Sequence, residues 1–144
     1  MTIKVAIGAD HGGFELKDYL IKNYKNQQIE WIDVGTYSDE SCDYPLIADK
    51  LAKIILDEQA RFGVLICGTG IGISIAANRN KGIRAALLYS DDVAKLAREH
   101  NDANVAVFGA RTQTKENVMQ YLDSFLKTDF SNGERHCRRI GLLG

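Results

Sequence analysis

One cysteine in this chain stands where a thiol can do chemistry. Cys67 closes the apolar run Val64-Leu65-Ile66 and is followed at once by Gly68, Gly70 and Gly72, within the stretch FGVLICGTGIGISIAA from Phe62 to Ala77. The apolar run suits a strand buried on both faces, and Ile73-Ser74-Ile75-Ala76-Ala77 reads as the first turns of a buried helix. A strand that passes through a glycine turn into a helix leaves backbone N–H groups free at its carboxyl end. Open α/β sheets hold anionic ligands there. A cysteine ending a buried strand is most often a small hydrophobe. A helix N-terminus changes that, because it favours the thiolate and faces a ligand. Glycines can simply make a turn, yet three in alternation leave more open backbone than a turn requires. The chemistry on offer is anion binding with an activated thiol at the lip.

Other polar residues fall at the carboxyl ends of expected strands: Asp10 and His11 after the first, Asp43 after the second, Thr69 beside Cys67 after the third, and Arg111 after the fifth. Each has an ordinary alternative. Asp10 suits a helix cap, lone histidines are commonly surface or satisfied core residues, and Arg135, Arg138 and Arg139 read as a solvated charge run. His100-Asn101-Asp102 comes just before the fifth strand and so belongs at the opposite edge of its own subunit. For His100 to share the thiol's site, a second subunit must bring it. Three familiar phosphate motifs fail at named residues. Ile73 stands where a dinucleotide fingerprint needs its third glycine and where a C-x5-R thiol phosphatase needs arginine. The Gly-Lys-Ser/Thr ending of a P-loop is absent.

The elements that position these residues alternate. Strands are expected at Ile3–Gly8, Ile29–Val34, the run into Cys67, Ile83–Tyr89 and Asn104–Gly109. Helices are expected from Phe14 through Ile21, from Asp43-Tyr44-Pro45 through Ile55, from the glycine turn to about Asn78, from the cap at Ser90, and from the cap at Thr114 through Phe125. Asn132-Gly133 ends the last of these and a basic tail follows. Strand–helix alternation predicts a parallel sheet with helices on both faces. Residues 1–144 read as one domain with a basic tail from about residue 130; no linker, repeat or low-complexity segment divides them.

Composition narrows the classes. Hydrophobic residues at 45% and charged residues at 26% fit an ordered globular chain. A net charge of −1 gives no reason to expect nucleic acid or membrane partners. Cys42, Cys67 and Cys137 are three, far apart and without a C-x-x-C pair, so neither a disulfide framework nor a zinc site is indicated. With no signal-like start and no stretch of about 20 apolar residues, the expectation is a cytoplasmic protein.

Taken together, Gly8-Ala9-Asp10-His11-Gly12-Gly13-Phe14, Asp43-Tyr44-Pro45, Cys67-Gly68-Thr69-Gly70-Ile71-Gly72-Ile73-Ser74, His100-Asn101-Asp102-Ala103-Asn104-Val105 and Phe108-Gly109-Ala110-Arg111 resemble the type B ribose-5-phosphate isomerases. That family also holds galactose- and allose-6-phosphate isomerases. The tail, with Gly133, Arg135, His136 and Arg139, is similar to the family's G-R-H-x-x-R ending, with Glu134 inserted. The resemblance implies a three-layer α/β/α Rossmann-like fold with a five-stranded parallel sheet, a homodimer or dimer of dimers with shared sites, and no metal or organic cofactor. It implies interconversion of D-ribose 5-phosphate and D-ribulose 5-phosphate in the pentose phosphate pathway through a cis-enediolate. By the same pattern Cys67 is the base, His100 opens the sugar ring with Asp10 and Thr69 as helpers, and Arg111, Arg135 and Arg139 take the phosphate with His11. Asp43, Tyr44, Gly68, Gly70, Ile71, Gly72 and Asn101 line the substrate. Some members carry glutamate at the position of Ile73 and lack the cysteine; Ile73 accepts no proton, which leaves Cys67. Two rivals remain: an isomerase of a 6-phosphate hexose, allose above all, and a sugar-phosphate or nucleotide-binding module without activity.

Overall fold

The computed structural model describes all residues from Met1 to Gly144. Its strands are β1 (Thr2–Ala9), β2 (Gln28–Asp33), β3 (Phe62–Cys67), β4 (Ala85–Leu87) and β5 (Val105–Gly109). Its helices are α1 (Phe14–Asn23), α2 (Tyr44–Leu56), α3 (Ile71–Asn78), α4 (Asp91–Asn101), α5 (Lys115–Lys127) and α6 (Glu134–Leu143). All strand pairs are parallel, in the order β2-β1-β3-β5-β4. One face of the sheet packs on α1, α4 and α5 through Leu20, Ala94, Leu122 and Phe125; the other packs on α2 and α3 through Leu51, Ile55, Ile73 and Ala77. This is the three-layer α/β/α arrangement the alternation predicts. No helix is long and apolar enough to cross a membrane.

The capping residues behave as their types demand. Ser90 and Thr114 each accept a backbone N–H three residues on, from Val93 at 3.1 Å and Asn117 at 3.2 Å. Pro45 sits in the first turn of α2. Two features differ from the sequence expectation. The fourth strand is only three residues long, at the sheet edge, although a seven-residue run has strand character. The basic tail is a helix: Gly133 breaks the chain after α5, and Glu134 then starts α6 as an acidic first-turn residue. None of the residues of α6 is buried, so burial does not mark it in the sequence.

A lysine lies wholly inside this core. Lys17 is fully buried, and its Nζ donates to both carboxylate oxygens of Asp33, at 2.8 and 2.7 Å. Asp33 Oδ1 also accepts the N–H of Gly35 at 2.9 Å, which ties α1 to the loop leaving β2. Lys17→Met strands the carboxylate and is expected to lower stability by about 3 kcal/mol, the low end for a broken buried pair because water reaches Asp33. A denaturant titration measures it; an unchanged midpoint would show that the pair contributes nothing net.

Candidate active site

The thiol loop is built by one backbone conformation. Gly70 adopts φ +80°, and a Cβ there would meet Leu87 Cδ1 at 2.5 Å, so only glycine fits. In this turn the Gly70 N–H donates to Cys67 Sγ at 3.1 Å. The sulfur of a residue otherwise 5% exposed thus receives a backbone donor at the N-terminus of α3. The N–H groups of Gly68, Thr69, Gly72 and Ile73 have no partner within the protein, while the Ile71 N–H is taken by Thr69 Oγ1 at 3.2 Å. Those of Gly72 and Ile73 are donors that a helix start leaves free, and those of Gly68 and Thr69 belong to the turn before it. Ile73 itself is fully buried in the core.

Sheet order decides which side chains stand around this loop. Because β5 pairs with β3, Ala110 N–H bonds Cys67 O at 2.9 Å and Arg111 N–H bonds Gly68 O at 2.8 Å. The Arg111 guanidinium lies over Gly68, 3.3 Å from where a Cβ would be. On the other side β1 delivers Asp10, whose Oδ1 accepts the N–H groups of Gly12 and Gly13 at 2.9 and 3.1 Å. The cap role is therefore real for one carboxylate oxygen. His11 Nδ1 accepts the Cys42 N–H at 3.2 Å, which leaves Nε2 to carry the proton of the neutral ring. Asp43 stands at the start of α2 without capping it, and Tyr44 packs its hydroxyl against Gly72. Asp10, His11, Asp43, Tyr44, Gly68 and Arg111 line a cleft of about 670 Å³. It opens where the chain turns from β1 outward to β2 on one side and to β3 on the other, the usual ligand crevice of such sheets.

His100, Asn101, Arg135 and Arg139 are elsewhere. His100 and Asn101 end α4, before β5 begins. The length of β5 puts them about 15 Å from the thiol loop, at the opposite edge of the sheet. There the His100 ring stacks on His136 of α6, with centroids 4.4 Å apart. Ser131 holds the tail to α4 by donating N–H and Oγ to Glu99 O at 3.2 and 2.7 Å. Loss of water contact and the charges of His100, Arg135 and Arg139 lower the His136 pKa below the usual histidine value. The shift favours the neutral imidazole over the imidazolium. Arg111, Arg135 and Arg139 have no acidic partner, whereas Arg84 and Arg98 are engaged by Asp102.

Residues 5–143 match the family model described as Ribose/Galactose Isomerase. The chain is 42% identical over 137 residues to ribose-5-phosphate isomerase B of Escherichia coli K12, covering 95% of this chain and 91% of that one. A ribose 5-phosphate isomerase of Thermotoga maritima superposes with a TM-score of 0.89 at 49% identity, covering 98% of this chain and 97% of that one. Ribose-5-phosphate isomerase B of Clostridium thermocellum gives 0.95 at 42% identity, with 99% and 95% covered. The chain belongs to the ribose/galactose isomerase family.

As a ribose/galactose isomerase, the protein has its sequence-predicted residues in two groups. Asp10, His11, Asp43, Tyr44, Cys67, Thr69, Arg111 and the N–H groups of the glycine loop gather at the carboxyl edge. His100, Asn101, Arg135 and Arg139 gather at the amino edge and on α6. The projection of His100 from the opposite edge is as the strand order along the chain predicts. Sequence reasoning did not find the Cys42 N–H that orients His11, since a backbone donor carries no residue-type signal. Nor did it find the buried Arg98, which bonds Asp102 Oδ1 at 2.8 Å and Ala103 O at 2.7 Å and steadies the end of α4. An arginine among Ala94, Ala97 and Asp102 is the one trace of it in the sequence.

Proposed function

We propose that this chain interconverts D-ribose 5-phosphate and D-ribulose 5-phosphate, with Cys67 as the base, at a site completed by a second subunit. The supporting observation is the Gly70 N–H aimed at Cys67 Sγ inside a loop whose remaining N–H groups are free. The sugar is mostly a closed ring, so an acid–base pair opens it first. His100 of the partner subunit takes that role, with Asp10 and Thr69 assisting. The Cys67 thiolate then removes the proton from C2, and the C2–H electrons form the C1–C2 double bond as the C1 carbonyl oxygen becomes negative. Free N–H groups of the loop hold that cis-enediolate; removing one such donor in other enzymes costs about 3–4 kcal/mol. Transfer of a proton from the C2 hydroxyl to the C1 oxygen and return of the thiol's proton to C1 give the ketose, and the thiolate is regenerated. No hydride leaves the substrate.

The phosphate goes to guanidinium groups, which match phosphate oxygens two at a time. Arg111 with His11 from one subunit faces Arg135 and Arg139 from the other. Arg135→Ala or Arg139→Ala is expected to raise KM about 10–100-fold with a smaller change in kcat, as one charge-assisted contact is worth about 1.5–3 kcal/mol. Steady-state kinetics give the split, and an unchanged KM returns these arginines to the solvated surface. The reading as a whole is tested by assaying purified protein on ribose 5-phosphate and allose 6-phosphate side by side. Preference for the pentose supports it, preference for the hexose moves the chain to the 6-phosphate branch, and no turnover of either leaves a binding module.

A further inference from the structure

The parallel ladder between β4 and β5 is interrupted at the edge that carries the thiol loop. Leu87 pairs with Val107, and Leu88 N–H continues the ladder by bonding Val107 O at 3.0 Å. The next rung of a parallel pair runs from Gly109 N–H to Leu88 O. A side chain takes its place. Gln113 Oε1 accepts the Gly109 N–H at 2.8 Å, and Gln113 Nε2 donates to Leu88 O at 2.7 Å. The amide is inserted between two strands whose backbone groups would otherwise bond directly.

What Gln113 holds bears on the site. A Cβ on Gly109 would meet Thr69 O at 2.5 Å, so the backbone of Thr69 rests directly against Gly109. The two residues after Gly109 carry the N–H groups that bond Cys67 O and Gly68 O, and the second of them is Arg111. Closing the ladder onto Leu88 would shift Gly109 towards β4 and draw Thr69, the thiol loop and Arg111 with it. We propose that Gln113 is a positioning residue for the isomerase: its inserted amide sets where Gly109–Arg111 lies and thereby the geometry of Cys67, Thr69 and Arg111.

The kinetic readout rests on the function proposed above, so the test also includes one that does not. Wild type, Gln113→Leu and Gln113→Glu are compared by kcat and KM for ribose 5-phosphate between about pH 5.5 and 8.5. The rate of iodoacetamide alkylation at Cys67, read by peptide mass spectrometry, is followed in the same samples. Gln113→Leu is expected to lower kcat/KM about 10–100-fold, the usual effect of a displacement near 1 Å, and to change the alkylation rate. Gln113→Glu carries the sharper signature. A protonated carboxyl keeps both the acceptor for Gly109 and the donor for Leu88 O, whereas a carboxylate faces that carbonyl with no proton. Its activity relative to wild type should therefore approach unity in acid and fall as pH rises. The hollow beside Gln113 is lined by Thr69, Thr112, Asn117, Tyr89 and Tyr121 and holds no carboxylate, histidine, cysteine or basic side chain, so the new carboxyl would be the only one there. Equal kcat/KM and equal alkylation in all three proteins overturn the proposal. So does a Gln113→Glu ratio that is flat with pH. If wild type turns over no sugar phosphate, the isomerase reading fails, and the alkylation rates alone decide whether Gln113 sets the thiol loop.

Discussion

Cys67→Ala and Cys67→Ser are expected to lower kcat roughly a thousandfold, near the middle of what a positioned general base contributes, while sugar-phosphate binding persists. The reason lies in the division of labour in the cleft. The phosphate contacts assigned to Arg111 and His11, and the free N–H groups of the loop, do not involve the sulfur. Serine keeps the size and can accept the Gly70 N–H, yet its hydroxyl is far too weak an acid to be ionised in that setting. Alanine removes the acceptor altogether. Both variants should fold, because Cys67 ends a strand whose other residues carry the packing. Isothermal titration with ribose 5-phosphate separates binding from turnover. Full activity in either variant would remove Cys67 from the role of base, and no other side chain in the loop could replace it, since Ile73 is apolar and buried.

Mixing two dead enzymes should restore activity. A Cys67→Ala subunit paired with a His100→Asn subunit assembles one site with both wild-type residues and one with neither. Random association makes half the dimers mixed, so about a quarter of wild-type activity is expected from two variants that each have almost none. The basis is the separation of about 15 Å between the end of α4 and the thiol loop across the length of β5, together with the stacking of His100 on His136 at the far edge. Co-expression with two different tags, purification on both in turn and a turnover assay measure it. Purified on both tags, the mixed dimer should approach half of wild-type activity. Activity that stays at the level of the parents would mean that each subunit's site is self-contained or that His100 has no part in it.

The residues from Phe62 to Ala77 show how much local pattern can carry. An apolar run, a cysteine and alternating glycines dictate strand, turn and helix, because buried β residues, positive φ at Gly70 and a small-residue helix start leave no other economical conformation. The same logic places the caps at Ser90 and Thr114. It fails at the tail. Helix α6 has no buried residue, and its order comes from Ser131 on Glu99 and His136 on His100, contacts made by residues more than thirty positions apart. It also falls short at β4, where edge position limits pairing to three residues despite a longer run of strand-forming types.

By itself, then, the sequence determined the alternating α/β class, the thiol loop, the residues at each strand's carboxyl end and the family to which the chain belongs. The first three follow from short-range spacing and residue type, and the family from the resemblance of the motifs that carry them. Only the tertiary structure decided that β5, not β4, lies beside β3. That choice sets Arg111 over Gly68 and puts an inserted amide, Gln113, next to Thr69. It also decided that the basic tail folds as α6 and brings Arg135 and Arg139 beside His100, at the edge where the chain order already places that histidine. Strand order is fixed by which buried faces pack together across the whole sheet, and that sum of long-range contacts has no expression in any local stretch of residues.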